Sequence, residues 1–198
     1  MRQYDVNFVA HAVVAAREGG RPPYAFGAMV PDLRAFTDRA EIVAPPVDAG
    51  DVEAGERSHH RIDSAFHANG QFRSWTAVIA IELGNERAAR AAAHVAVELT
   101  IDGVLLDTER AGAFYDALAW ADASLDGPWH ALVSRLRSDD LVRAYCTPEG
   151  VARRTVGAIG RRPRLRRHAL DEGALAVAVG HVRPRIAAEL DELLAALG

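Results

Sequence analysis

The chain has 198 residues, 49% of them hydrophobic and 25% charged, and a formal net charge of −4. That balance fits a globular domain with its own core and argues against a general nucleic-acid binder. A lone cysteine, Cys146, excludes an internal disulfide, and no apolar run approaches the roughly 20 residues that cross a bilayer. No signal-like segment is legible, so a cytoplasmic location is expected.

Residues 5–18 carry apolar positions at helical spacing and predict a first helix, closed by Gly19 and Gly20. Residues 24–36 read as a short helix or turn broken near Pro31, and Pro45-Pro46 as a loop. Helices are expected from about 52 to 66, from 70 to 83 and from 86 to 106, with Gly84-Asn85 separating the last two. Three more follow over 110–122, 128–137 and 138–145, then a short one over 149–159 ended by Gly160. After Pro163 the chain is expected to stay helical to a closing stripe of Leu190, Leu193, Leu194 and Leu197. Core packing is the first reading of that stripe and a homodimer contact the second. Trp75, Trp120 and Trp129 read as helix-packing residues. Strand signals are poor, because the β-branched run at 95–101 is flanked by alanine and arginine. The expectation is one compact all-α domain over 1–198.

Two stretches repeat one chemistry. Residues 59–67 place His59, Asp63 and His67 at steps of four, and residues 94–102 place His94, Glu98 and Asp102 likewise. Side chains four apart stand above one another on a helix, so each stretch presents one stripe of metal-ligand types. Two facing stripes would cage one or two divalent cations in nitrogen and oxygen. The plain alternative is a pair of solvated faces. It is weaker for 94–102, where Val95, Val97, Leu99, Ile101 and Val104 surround the polar positions and imply burial. His11, in the apolar first helix, and Asp32, after Pro31, each need a partner if buried. Alone, His11 reads as a core histidine and Asp32 as a turn residue.

Imidazoles and carboxylates without thiolates suit manganese, zinc, iron or magnesium, and phosphoester hydrolysis is the natural reaction of such a site. Cys146 has no histidine nearby in sequence, no serine lies in a nucleophile elbow, and no glycine-rich phosphate loop is present. All 23 basic residues are arginines. Seven of them, with no acid, lie between Arg153 and Arg167, which leaves −11 on the rest of a chain of net charge −4. A basic patch on an acidic protein suggests a local anionic partner.

At these residues the chain resembles the acyl carrier protein phosphodiesterases, also called acyl carrier protein hydrolases. The similarity runs from Asn7, Phe8, Ala10 and His11 through Gly27 and Asp32 to His59, Arg61, Ile62 and Asp63. It continues with Glu98 and Asp102, then Leu141, Val142 and Arg143, and ends with the RRPRL element at 161–165. The resemblance implies an all-helical, HD-hydrolase-like fold that uses a divalent metal, often manganese. The implied reaction is release of 4′-phosphopantetheine from holo-acyl carrier protein. Carried over by position, it makes His11, Asp32, His59, Asp63 and Asp102 metal-site residues and Glu98 a supporting acid. Arg61, Arg161, Arg162 and Arg164 become contacts to phosphate or to the carrier protein.

Two departures are visible: Gly103 stands where the family has histidine, and Phe66-His67 where it has threonine and aspartate. His67 and His94 would then supply replacement imidazoles. With metal ligands at His11, Asp32, His59, Asp63, His67, His94, Glu98 and Asp102, the catalytic candidates are Asp63, Glu98 and Arg61. Two rivals remain. One is a zinc-dependent phospholipase C-like or nuclease-like hydrolase of another small phosphoester. The other is an inactive helical module that docks an acidic protein through its arginines.

Overall fold

The computed structural model describes residues 8–84, 86–138, 142–165 and 170–197. Nine α-helices occur among the described residues, and no strand. They are α1 (Phe8–Arg17), α2 (Pro22–Leu33), α3 (Ala49–Ala68), α4 (Gly70–Glu82), α5 (Arg87–Leu106), α6 (Gly112–Ser124), α7 (Gly127–Ser138), α8 (Pro148–Gly160) and α9 (Glu172–Leu197). The all-α single-domain expectation is met. Among the described residues, no helix is long and apolar enough to cross a membrane.

Local chemistry starts several of these helices. The Asn69 side chain accepts from the Gln71 and Phe72 amides at the head of α4, and Thr147 accepts from Gly150 at the head of α8. Proline opens α2 and α8, where its missing N–H costs nothing. The start of α1 is served from a distance. The amides of Val9 and Ala10 donate to Asp102 on α5, at 3.1 and 2.9 Å.

Helix α5 is the axis of the molecule. All of Val95–Leu105 is buried, as the apolar surroundings of its polar stripe foretell. It packs against α1, α4, α8 and α9. The C-terminal stripe of Leu190, Leu193, Leu194 and Leu197 belongs to the core, as do Trp75 and Trp129. Each tryptophan satisfies its indole N–H: Trp75 on Glu189, Trp120 on Asp48 and Trp129 on the Ala40 carbonyl.

Helices α2 and α3 cross where each has a glycine. A Cβ on Gly27 would run into the Val52 carbonyl, and one on Gly55 into the Tyr24 carbonyl. The two backbones are therefore in contact, which sets the depth of α3 against α2.

Several boundaries differ from the sequence expectation. Helix α2 passes Pro31 and ends at Leu33, because a proline this close to the end forfeits a single backbone hydrogen bond. Helix α3 begins at Ala49, a turn before expected. The helix expected over 138–145 is instead a short 3-10 turn at Arg143–Cys146, with residues 139–141 outside the described set. Residues 161–165 form a turn, not a helix. Pro163 disfavours helical geometry at Arg162, so α8 cannot continue through it. Asn7, Asn85, Leu141, Arg166, Arg167 and His168 lie outside the described residues.

Candidate metal centre

Helix α3 carries His59, Asp63 and His67 along one face, and three other helices meet that face. From α1 comes His11, from α2 Asp32, and from α5 His94 and Glu98. These side chains form two neighbouring groups. One unites His11, Asp32 and His59, all buried; the other unites His67, His94 and Glu98, the glutamate buried and the imidazoles half-buried. In each group, one ligand atom per residue lies within 4.8 Å of the others.

In the first group, Asp32 approaches both imidazoles: His11 Nε2 lies 3.9 Å and His59 Nε2 3.8 Å from its carboxylate oxygens. The rings of His11 and His59 lie 4.1 Å apart. These separations are too long for hydrogen bonds. Two ligands on one tetrahedral zinc-like ion, each about 2.1 Å from it, lie roughly 3.4 Å apart, so a small closure would complete the cage. His59 is oriented for this. Its Nδ1–H donates to the Ala28 carbonyl at 2.9 Å, which leaves the Nε2 lone pair facing Asp32. Burial pushes the pKa of His11 well below the usual imidazole range, with His59 adding to the effect, and burial lowers His59 too. Both rings are thus neutral at physiological pH, the form a metal requires.

The second group is tied by hydrogen bonds. Glu98 Oε1 lies 3.1 Å from His67 Nε2 and 2.9 Å from His94 Nε2. The other nitrogen of His67 faces Asp63 at 3.5 Å. The Asp63 and Glu98 hydrogen bonds outweigh burial and raise the His67 pKa to about 10. Burial would raise Glu98, but its bonds to His67 and His94 prevail and hold it below the usual range. Burial also works to raise Asp63. The hydrogen bond to His67 and the charge on that imidazole bring it below its ordinary value. Asp63 lies one turn from a ligand of each group along α3.

Two buried polar atoms stand without hydrogen-bond partners here: His11 Nδ1 and Glu98 Oε2. Such an atom costs about 1–3 kcal/mol if nothing meets it. A mixed imidazole and carboxylate donor set fits divalent cations, and in the second group an ion must displace the proton that Asp63 and Glu98 hold on His67. The second group opens onto a cleft of about 330 Å³ that Phe72, Arg73, Ile81 and Arg90 help to line.

Five further expected site residues, Asp102, Arg61, Arg161, Arg162 and Arg164, lie outside both groups. Asp102 belongs to neither ligand group, because its two oxygens accept from the α1 amides. Burial pushes its carboxyl well above the usual range, against the pull of those amides. It anchors the helix that carries His11. Arg61 points away from both groups and pairs with Glu18, with Ser58 Oγ at 3.3 Å. Arg164 is exposed in the 161–165 turn, where Arg161 is exposed and Arg162 half-buried.

The departure at Gly103 has a physical cause: a Cβ there would collide with the Tyr145 carbonyl, so no histidine fits. Burial raises the Cys146 pKa, which makes it a poor nucleophile. Sequence reasoning did not single out Arg73, Arg90 or Phe72, which border the cleft. Their positions become informative only once α4 and α5 lie side by side. No family model, curated protein or solved structure matches the chain.

Proposed function

We propose that this protein is a metal-dependent phosphoesterase whose centre holds two divalent cations along one face of α3. The supporting observation is the convergence of four imidazoles and two carboxylates, from four helices, into two adjacent three-residue groups. A bound cation of this kind supplies Lewis acidity toward a phosphoryl oxygen and acidifies a water. His11, Asp32 and His59 would hold one ion, and His67, His94 and Glu98 the other. Asp63 lies between them, ionised at neutral pH and partly exposed, where it orients the attacking water and takes its proton. Arg73 and Arg90, at the cleft beside His67 and His94, stabilise charge gathering on the phosphate.

Within this class, the resemblance points to the phosphodiester of holo-acyl carrier protein, and the arginines of α8 and the following turn suit an acidic partner. The apolar flank of the cleft, Phe72 and Ile81, favours a second reading, a smaller phosphodiester with an apolar substituent. Manganese-loaded protein incubated with holo-acyl carrier protein, and separately with bis(p-nitrophenyl) phosphate, decides the matter. The first reading expects loss of the 4′-phosphopantetheine mass, the second release of nitrophenol alone. Protein with stoichiometric metal that cleaves neither would refute hydrolysis.

A further inference from the structure

The cleft beside the second ligand group has a direction. Phe72 stands at its inner end, with its ring 5.2 Å from that of His94 and 5.4 Å from that of His67. From there one face of α4 lines the cleft in two adjacent rows at steps of four. Phe72, Thr76 and Ala80 make one row; Arg73, Ala77 and Ile81 make the other. Between Phe72 and Ile81 the helix rises roughly 13 Å, the reach of a medium-length alkyl chain.

Within these rows the one charge is that of Arg73, at the imidazole end. Beyond it the rows are hydrocarbon. Ala80 is buried, and Ile81 presents a large aliphatic side chain that is 67% exposed. Thr76 donates its hydroxyl hydrogen to the Phe72 carbonyl at 2.9 Å, inside its own helix. Arg90 borders the cleft from α5 and has a partner of its own.

We propose that the substrate of the metal centre is a single-chain alkyl phosphodiester, its phosphate at the second ligand group and its chain along these two rows toward Ile81. The inference rests on the phosphoesterase reading and specifies the substituent that the phosphate carries. A sugar or nucleoside on the same rows would set hydroxyls against methyl groups. Among the described lining residues beyond Arg73, it would meet only Thr76 and Arg90 as hydrogen-bonding side chains. A chain instead takes Phe72, Ala77, Ala80 and Ile81 out of water. The reaction remains hydrolysis: a water oxygen bonds to phosphorus, one ester P–O bond breaks, and the released oxygen takes one of the water's protons.

The test uses the full chain loaded with manganese, and probes below their micellar range. Calorimetry compares methyl, butyl and octyl phosphate, and nitrophenol release compares methyl and octyl p-nitrophenyl phosphate. An open groove buries about half of each methylene, so affinity should rise about twofold per carbon and about a hundredfold from methyl to octyl. The kcat/KM values should follow the same order through a lower KM. Ala77→Trp sets an indole on the exposed row. With both ions still counted by elemental analysis, it should collapse the octyl-to-methyl ratio in both assays. Ile81→Ser, at the far end, should weaken octyl phosphate more than butyl phosphate. Each ratio is taken within one preparation, so a loss of folded protein does not imitate the effect.

Equal affinity for the three phosphates, or a chain-length gain that survives both substitutions, would overturn the inference. Cleavage of both nitrophenyl esters with one kcat/KM would do so too and leave the phosphoesterase reading standing. Cleavage of neither, with two ions bound, would refute that reading and the substrate assignment with it.

Discussion

Asp102→Asn separates an anchor from a ligand. In the native protein both carboxylate oxygens accept buried amides, Val9 N–H at 3.1 Å and Ala10 N–H at 2.9 Å. Asparagine is nearly isosteric but has one acceptor oxygen, so one amide faces an NH2 group and loses its partner. An orphaned buried donor costs about 1–3 kcal/mol, and the remaining bond loses its charge assistance, about 1 kcal/mol more. Removing a carboxyl whose burial is itself costly offsets part of this. A net loss of about 2 kcal/mol is expected. For a chain of this size that lowers Tm by about 4–8 °C. Calorimetry on metal-free protein measures the change, and elemental analysis of the reloaded variant measures its ions. The account expects the full Tm decrease with metal stoichiometry retained. An unchanged metal-free Tm with one ion missing would show that Asp102 is a ligand and refute the anchoring argument.

Gly55→Val forces a side chain into the Tyr24 carbonyl and wedges α2 from α3. It should cost about 1–3 kcal/mol or more and weaken metal binding at His11, Asp32 and His59, read by denaturant melts and metal titration. Arg61→Gln removes the pairing with Glu18, the Ser58 contact and a 3.5 Å bond to the Leu197 carbonyl, none of them in either ligand group, so phosphodiesterase activity should stay within about twofold of native; a hundredfold loss would restore Arg61 to the site. The stability of metal-free protein should fall on both sides of neutrality. Folding keeps His11 and His59 neutral while the unfolded chain takes up protons, so stability drops as pH falls below about 6.5. His67 acts in the opposite sense. Its pKa of about 10 gives a contribution that is full below about 6.5 and is lost as pH rises through 10. Melting temperatures from pH 5 to 10 should show both limbs, and His67→Asn should flatten the alkaline one; an alkaline limb that survives this change would contradict the ion pairs to Asp63 and Glu98.

What the sequence reveals here follows from periodicity. Steps of four put His59, Asp63 and His67 on one face and His94 and Glu98 on another, and the apolar surroundings of 94–102 announce burial. The same rule misleads at Asp102. Helical spacing gives the face a residue shares, but not which neighbouring backbone stands opposite the next turn. His11 and Asp32 are ordinary residues until the Gly27 and Gly55 crossing sets the depth at which α1, α2 and α3 meet. A tertiary contact between glycine and a distant carbonyl leaves no periodic trace, which is also why Gly103 reads as a missing histidine and not as a packing requirement. Pro31 misleads in the other direction: a proline near a helix end is a weak breaker.

The central claim, that α3 and its neighbours build two cation sites, is tested most directly by counting ions. Protein stripped with chelator, dialysed against manganese or zinc and measured by elemental analysis should retain about two equivalents. His59→Ala should retain about one, His94→Ala about one, and the double variant none. Native protein that retains no stoichiometric metal, or variants that hold as much as the native chain, would contradict the account.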